Sequence, residues 1–329
     1  MAVTRSDTGT AERLVAVGSD ARHGRARQLA EHAIREVGQV ILGKPQEIRL
    51  AVTCLLARGH LLIEDVPGVG KTLLARSLAA VLGLSFRRIQ FTSDLLPADI
   101  VGAAVFDRER ACLQFQPGPV FAQLILADEI NRATPKAQSA LLEAMEEHQV
   151  SVDGVTHPLP APFFVIATQN PAHQVGTFPL PESQLDRFLM RIGLGYPAEP
   201  LERKLLRGDD RRGLLATLRP VMGVAELEEL QSAARQVQVT DAVLDYVQAL
   251  VRFTRESPAF ELGLSPRAAV DLVTAARCWA LVNGHAGVYP EDVQAVFPAV
   301  AAHRLRRRGD LPLPGQDAAR QVLAEVAIP

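Results

Sequence analysis

The stretch Asp65-Val66-Pro67-Gly68-Val69-Gly70-Lys71-Thr72 joins an apolar run, Leu61-Leu62-Ile63, to a helix-like run from Leu73 to Leu82 that Gly83 closes. Strand, glycine-rich loop and helix in that order are what a phosphate-binding loop requires. Gly68 and Gly70 let the backbone wrap an anion with successive N–H groups pointing inward. Lys71 then reaches the outer phosphates, and the Thr72 hydroxyl can hold Mg²⁺. Without a ligand, Lys71 is badly placed, because a cation in the first turn of a helix opposes the macrodipole at about 0.3–1 kcal/mol. Arginine is the default cation in this chain: of 35 basic residues only Lys44, Lys71, Lys136 and Lys204 are lysines. The pattern departs from G-x-x-x-x-G-K-[ST] at one position, where Asp65 replaces the first glycine.

Short apolar runs alternate with amphipathic stretches over residues 26–197, the signature of an α/β domain with a parallel sheet covered by helices. The predicted strands are Leu61–Glu64, Phe86–Phe91, Leu124–Asp128 and Phe163–Thr168. Thr134 to His148 reads as a helix capped by Thr134, with Pro135 in its first position. Residues 1–25 are polar and weakly periodic, and are expected to be a disordered arm. Strand signals fade after Pro197 and Pro200, and Thr240–Arg252 and Pro266–Val282 read as helices. Residues 198–329 are therefore predicted to be an all-α domain.

Chemistry gathers at the strand ends. The run Leu124-Ile125-Leu126-Ala127-Asp128-Glu129 ends in two carboxylates, and in a parallel sheet that end faces the nucleotide crevice. Asp128 is placed to hold Mg²⁺, and Glu129 to orient and deprotonate a water attacking the γ-phosphate. The next strand runs into Gln169-Asn170-Pro171, whose amide could reach the γ-phosphate, although Asn before Pro is also an ordinary turn former.

In this order the motifs resemble the AAA+ ATPases, and among them the MoxR family. The residues that carry the resemblance are Leu62–Thr72, Gln90-Phe91-Thr92-Ser93-Asp94-Leu95-Leu96-Pro97-Ala98-Asp99-Ile100-Val101-Gly102, Gly118-Pro119-Val120-Phe121, Ala127–Arg132, Ala167–Pro171 and Leu185-Asp186-Arg187-Phe188. It spans roughly Val40 to Arg308, and an acidic residue at position 65 fits it. The resemblance implies an AAA+ P-loop core followed by a helical lid. It implies ATP held by Gly43, Asp65, Val66, Pro67, Gly68, Val69, Gly70, Lys71, Thr72 and Leu73, with Mg²⁺ on Thr72 and Asp128. Glu129 takes the catalytic Walker B position and Asn170 the sensor 1 position. Arg187 resembles an arginine finger acting on a neighbouring subunit, with Arg191, one helical turn further on, as the alternative. Arg267 resembles the sensor 2 arginine; Ser265 and Pro266 place it in a first helical turn, where an anion would relieve the dipole conflict.

Two insertions follow from the same resemblance. Residues 104–121 look like a helix-2 insert, and Gln149–Thr156 alternates around Asp153-Gly154 as a hairpin before sensor 1. In related rings both point toward the pore or the substrate face. The expected activity is Mg²⁺-dependent ATP hydrolysis in a homo-oligomeric, hexameric ring that remodels, matures or assembles client protein complexes. A separate partner with a von Willebrand A-type domain could present the client. The alternatives are a nucleic-acid motor or loader, a metal-chelatase motor subunit, or an ATP-binding module without turnover.

A net charge of −2 gives no electrostatic footprint for nucleic acid. Cys54, Cys112 and Cys278 form no C-x-x-C pair, which suits a reducing compartment. No signal peptide or run of about 20 apolar residues is evident, so the expected location is the cytoplasm. The eight histidines lack metal-ligand spacing. Arg304, Arg306, Arg307 and Arg308 read as a solvated helix end, and Trp279 as core.

Overall fold

The computed structural model describes residues 8–170, 177–207, 211–308 and 315–328. Helices α1 (Thr8–Val40) and α2 (Pro45–Leu56) lead into β1 (His60–Glu64), α3 (Lys71–Val81) and β2 (Phe86–Gln90). The short α4 (Pro97–Val101) precedes a hairpin of β3 (Gly102–Asp107) and β4 (Cys112–Pro117). Then come β5 (Leu124–Asp128), α5 (Pro135–Glu147), a second hairpin of β6 (Gln149–Val152) and β7 (Val155–Pro158), and β8 (Phe164–Gln169). After α6 (Glu182–Leu185) the chain enters β9 (Phe188–Ile192).

The long sheet has the order β2-β5-β8-β1-β9, and every pair in it is parallel. Its strands β5 and β8 are buried along nearly their whole length, as expected for a parallel sheet covered on both faces. On one face, Leu61, Ile63, Leu126, Ile166 and Met190 share a core with α1, α2, α3 and the C-terminal helices. On the other, Leu62, Ile125, Ala127, Val165 and Phe188 pack on α4 and α5. In β1, β5 and β8 this alternation follows the two-residue period of a strand, whereas in β9 Phe188 and Met190 fall on opposite faces across an irregularity in the pairing with β1.

The C-terminal region carries α7 (Glu199–Leu206), α8 (Arg211–Thr217), α9 (Val224–Gln236) and α10 (Asp241–Glu256). It continues with β10 (Phe260–Leu262), α11 (Pro266–Asn283), α12 (Pro290–Ala301), β11 (Arg306–Arg307) and α13 (Gly315–Glu325). The expectation of an all-α lid needs one adjustment, because β10 and β11 pair as a small antiparallel ribbon. Trp279 lies in the lid core as expected.

Three sequence expectations change. First, α1 starts at Thr8, inside the region read as an arm. Farther along this helix, Ala26, Ala30, Ala33, Ile34 and Val37 are buried and anchor it to the core. Second, Arg191 is not one helical turn beyond Arg187: residues 188–192 form the edge strand β9, paired to β1. Third, Arg304 is not a solvated helix end. Its side chain is 3% exposed and lies within 2.8 Å of Asp186 and 2.6 Å of Asp271. Arg306 is exposed and paired with Glu182 and Glu261.

Two glycines close the stem of the first insertion. A Cβ on Gly102, whose φ is +96°, would collide with the Gln116 carbonyl, and one on Gly118 with the Ile100 carbonyl. Gly118→Ala is expected to cost about 1–3 kcal/mol through this overpacking. Urea denaturation measures it, and a loss near zero would mean that the stem is loosely packed.

Candidate active site

Parallel pairing brings the C-terminal ends of β5, β8 and β1 side by side, and the chain places a polar residue just beyond each. After β1 comes the Asp65–Thr72 loop. Gly68 and Gly70 have φ of +87° and +97°, and a Cβ on either would meet nothing within 4 Å. They are needed for left-handed backbone rather than for space. Gly70 caps α3, and Lys71 follows as its first residue.

Lys71 is only 8% exposed. Its ammonium donates to the Asp65 carbonyl and, at 3.1 Å, to Oδ1 of Asn170. Among the described residues it forms no ion pair. Burial pushes its pKa down, with Asp65, Asp128, Glu129 and Glu64 acting at longer range in the opposite direction. A desolvated cation held only by neutral oxygens fits an anionic ligand.

Asn170 links this lysine to the carboxylates. Its Nδ2 donates to Oε1 of Glu129 at 3.1 Å, while Asn131 Nδ2 donates to its carbonyl at 3.3 Å. Glu129 stands at φ +56°, which turns its side chain out of the strand direction. Thr168 fixes both acids: its hydroxyl donates to Asp128 Oδ1 at 2.6 Å and accepts the Glu129 N–H at 2.9 Å. The other oxygen of Asp128 accepts from Arg88 at 2.6 and 2.9 Å. Gln90 and Arg132 contact Oε2 of Glu129 at 3.2 and 3.0 Å.

Asp65 uses both of its carboxylate oxygens within the chain. One of its oxygens accepts its neighbour Val66's N–H, and the other accepts the N–H of Gly195, beyond β9. It ties the loop to the chain leaving the sheet edge. Gly43 lies on this side too: a Cβ there would strike Leu201, and its neighbour Lys44 donates to the Tyr196 carbonyl at 2.9 Å. Thr72 and Leu73 sit half-buried in the first turn of α3.

The arginines divide between the two ends of the sheet. Arg191 lies near the nucleotide end, 2.8 Å from Glu64, with its guanidinium also donating to the Ala302 carbonyl at 2.9 Å. Arg187 precedes β9 and is therefore at the opposite end, since Phe188 pairs with His60, the first residue of β1. Five residues of strand separate these ends by about 13 Å. Arg267 is at that far end as well, and it shares the Glu146 carboxylate with Arg187 at 3.1 and 3.5 Å. The structure thus brings Lys71, Asp128, Glu129 and Asn170 together, but leaves Arg187 and Arg267 away from them in the same chain. Pro171 falls outside the described residues.

Comparison with known proteins matches residues 60–190 to the ATPase family associated with various cellular activities (AAA), and residues 252–326 to the AAA lid domain. Chaperone MoxR1 of Mycobacterium tuberculosis (strain H37Rv) is 44% identical over 84% of this chain and 75% of its own length. The uncharacterized protein YeaC of Bacillus subtilis (strain 168) is 42% identical over 90% of this chain and 94% of its own. A crystal structure from Cytophaga hutchinsonii superposes with a TM-score of 0.87 at 33% identity, covering 96% of this chain and 99% of that one. The chain belongs to the MoxR family of AAA+ ATPases.

Several site residues of this MoxR-family chain escape sequence reasoning. Arg88 carries no motif and reaches Asp128 only because β2 pairs with β5 in register, Gln90 opposite Asp128. Thr168 is legible as a strand end but not as the hydroxyl holding two acids. Glu146 is one of many helical glutamates until the lid docks beside it. For metal, no group of three or more His, Cys, Asp or Glu side chains clusters among the described residues. A Mg²⁺ ion with Thr72 and Asp128 would therefore draw its remaining ligands from phosphate oxygens and water, as that ion commonly does.

The double role of Asp65 yields a test. Asp65→Ala should lower stability by about 1–3 kcal/mol, because it removes two backbone hydrogen bonds to a charged acceptor. Thermal unfolding with and without nucleotide measures it; an unchanged melting temperature would count against the tie to Gly195.

Proposed function

We propose that this chain is a Mg²⁺-dependent ATPase whose active sites form between subunits of a homo-oligomeric ring. The observation that carries the reading is the division of the site. Lys71, Asp128, Glu129 and Asn170 meet at one end of the sheet, and Arg187 and Arg267 at the other. A subunit that carries the two halves at opposite ends of its sheet completes each site with its neighbour.

In this reading the loop N–H groups and Lys71 bind the β- and γ-phosphates of ATP, replacing the contacts that Lys71 makes with Asp65 and Asn170. Thr72 and Asp128 hold Mg²⁺, which when bound offsets phosphate charge. Arg88 leaves Asp128 to make room. Glu129 accepts the proton of the water that attacks the γ-phosphorus, and ADP and phosphate are the products. Asn170, already bonded to Glu129, orients that water. Arg187 and Arg267 of the adjoining subunit leave Glu146 and balance the charge developing on the γ-phosphoryl oxygens.

The work done is the remodelling or assembly of client proteins, in keeping with the chaperone name of the M. tuberculosis relative. The two hairpins supply a contact surface, with Phe106 and Leu113 58% and 68% exposed near the tip of the first. Phe115 stacks on His157 with ring centroids 3.9 Å apart, so the insertions are braced against one another. A hexameric ring, cytoplasmic location and a separate von Willebrand A-type partner complete the proposal. No helix among the described residues is long and apolar enough to cross a membrane.

Glu129→Gln is expected to retain ATP binding while turnover falls at least about 100-fold, the lower range for a lost general base; normal turnover would remove Glu129 from that role. Mixing Arg187→Ala subunits with Glu129→Gln subunits, each inactive alone, should restore hydrolysis, because the first keeps its base and the second its arginine. Absence of any recovery would sink the shared-site reading.

A further inference from the structure

Arg304 is the most heavily committed cation in the described structure. Its guanidinium contacts two carboxylates, Asp186 at 2.8 Å and Asp271 at 2.6 Å. It also donates to three carbonyls: Asp186 at 3.1 Å, Phe188 at 3.0 Å and Val300 at 3.1 Å. The first two of those carbonyls flank Arg187 on either side. The preceding residue joins the same grip, since buried His303 bonds the Phe188 carbonyl through Nε2 at 2.8 Å. Burial, with the charges of Arg304 and Arg191, holds the His303 imidazole well below its usual pKa; because the Phe188 carbonyl can only accept, Nε2 is the nitrogen that donates.

Asp186 extends the grip to the second arginine. Its Oδ2 accepts from the Ser265 hydroxyl at 3.3 Å, and that hydroxyl also caps α11 by accepting the Ala268 N–H at 3.1 Å. Arg267 sits in the turn thus capped. Asp271, one turn further along α11, is the other carboxylate on Arg304. Burial raises the Asp271 pKa, and the Arg304 charge acts against that rise. Nη1 and Nη2 of Arg304 together make four hydrogen bonds, and Asp186 lies in charge contact with Nε, a planar arrangement that the single point charge of a lysine would not reproduce.

We propose that Arg304, assisted by His303, is the positioning residue that locks the lid to the segment bearing Arg187, so that Arg187 and Arg267 are presented to the next subunit as one rigid pair. Arg304 touches no part of its own phosphate loop; its effect on turnover is exerted on the neighbour. The inference rests on the shared-site reading above. It adds that the lid and the finger move as a single body, and that any lid displacement repositions both arginines together.

Arg304→Met tests this by keeping length while removing the fork. The expected result is affinity for a fluorescent ATP analogue within about twofold of the parent, with kcat lowered at least about tenfold, the scale of one lost transition-state contact. Mixing Arg304→Met with Glu129→Gln subunits should restore turnover, because the second donates well-placed arginines to the first. Mixing it with Arg187→Ala should not, because neither then donates a competent pair. Parental turnover of Arg304→Met alone would overturn the proposal. So would failure of its rescue by Glu129→Gln under conditions where Arg187→Ala is rescued, since the defect would then lie within the subunit itself. If Arg187→Ala is not rescued either, the shared-site reading is what fails. Should Arg304→Met melt below the assay temperature, Arg304→Lys retains the charge without the fork, and the same rescue pattern with a smaller loss is expected of it.

Discussion

The parallel register of β5, β8 and β1 is the constraint on which the rest of the molecule depends. Parallel pairing sends all three chain exits to one end of the sheet, so residues far apart in sequence become neighbours. Lys71, Asp128 and Asn170 would have no reason to meet in an antiparallel sheet. The same register sends the three entries to the other end, where Arg187 immediately precedes β9. Placing the phosphate loop at one end and Arg187 at the other is thus a property of topology, and the docked lid adds Arg267 beside Arg187 through Glu146.

The lid is not a loose appendage on this frame. One face of the sheet, α1, α2 and the C-terminal helices share a continuous apolar core. The outer edge of β9 is covered in addition by residues 302–304, which bond to Phe188 and Arg191. That cover matters in its own right, because an open strand edge invites pairing with other chains. It also couples the edge strand to α12 and α11.

The sequence is informative where a residue type is forced by local geometry. Gly68 and Gly70 must be glycine because of their positive φ, Lys71 is anomalous without an anion, and Ser265 with Pro266 announces a helix start. The strands that carry the phosphate loop and the acids are legible because they are short and apolar. Legibility fails where a role depends on what docks nearby. Asp65 reads as a phosphate-loop position but spends its carboxylate on Gly195, 130 residues away in sequence. Arg304 lies in a run of arginines whose other members face solvent or the surface, and only the tertiary structure separates it from them. Strand β9 is hidden because Arg191 interrupts its apolar run, and that arginine is tolerated because Glu64 receives it.

The thiols differ in a way that bears on the first hairpin. Cys54 and Cys278 are buried, and burial raises both thiol pKa values, that of Cys278 to about 12, whereas Cys112 stands exposed at the start of β4. A thiol reagent near neutral pH would therefore meet one accessible sulfur, because the thiolate is the reactive form. The chain carries a natural attachment point for a fluorophore or spin label, seated on the insertion and remote from the phosphate loop in sequence. Motion of that hairpin during a nucleotide cycle becomes observable without introducing a cysteine, and without removing the two that pack the core.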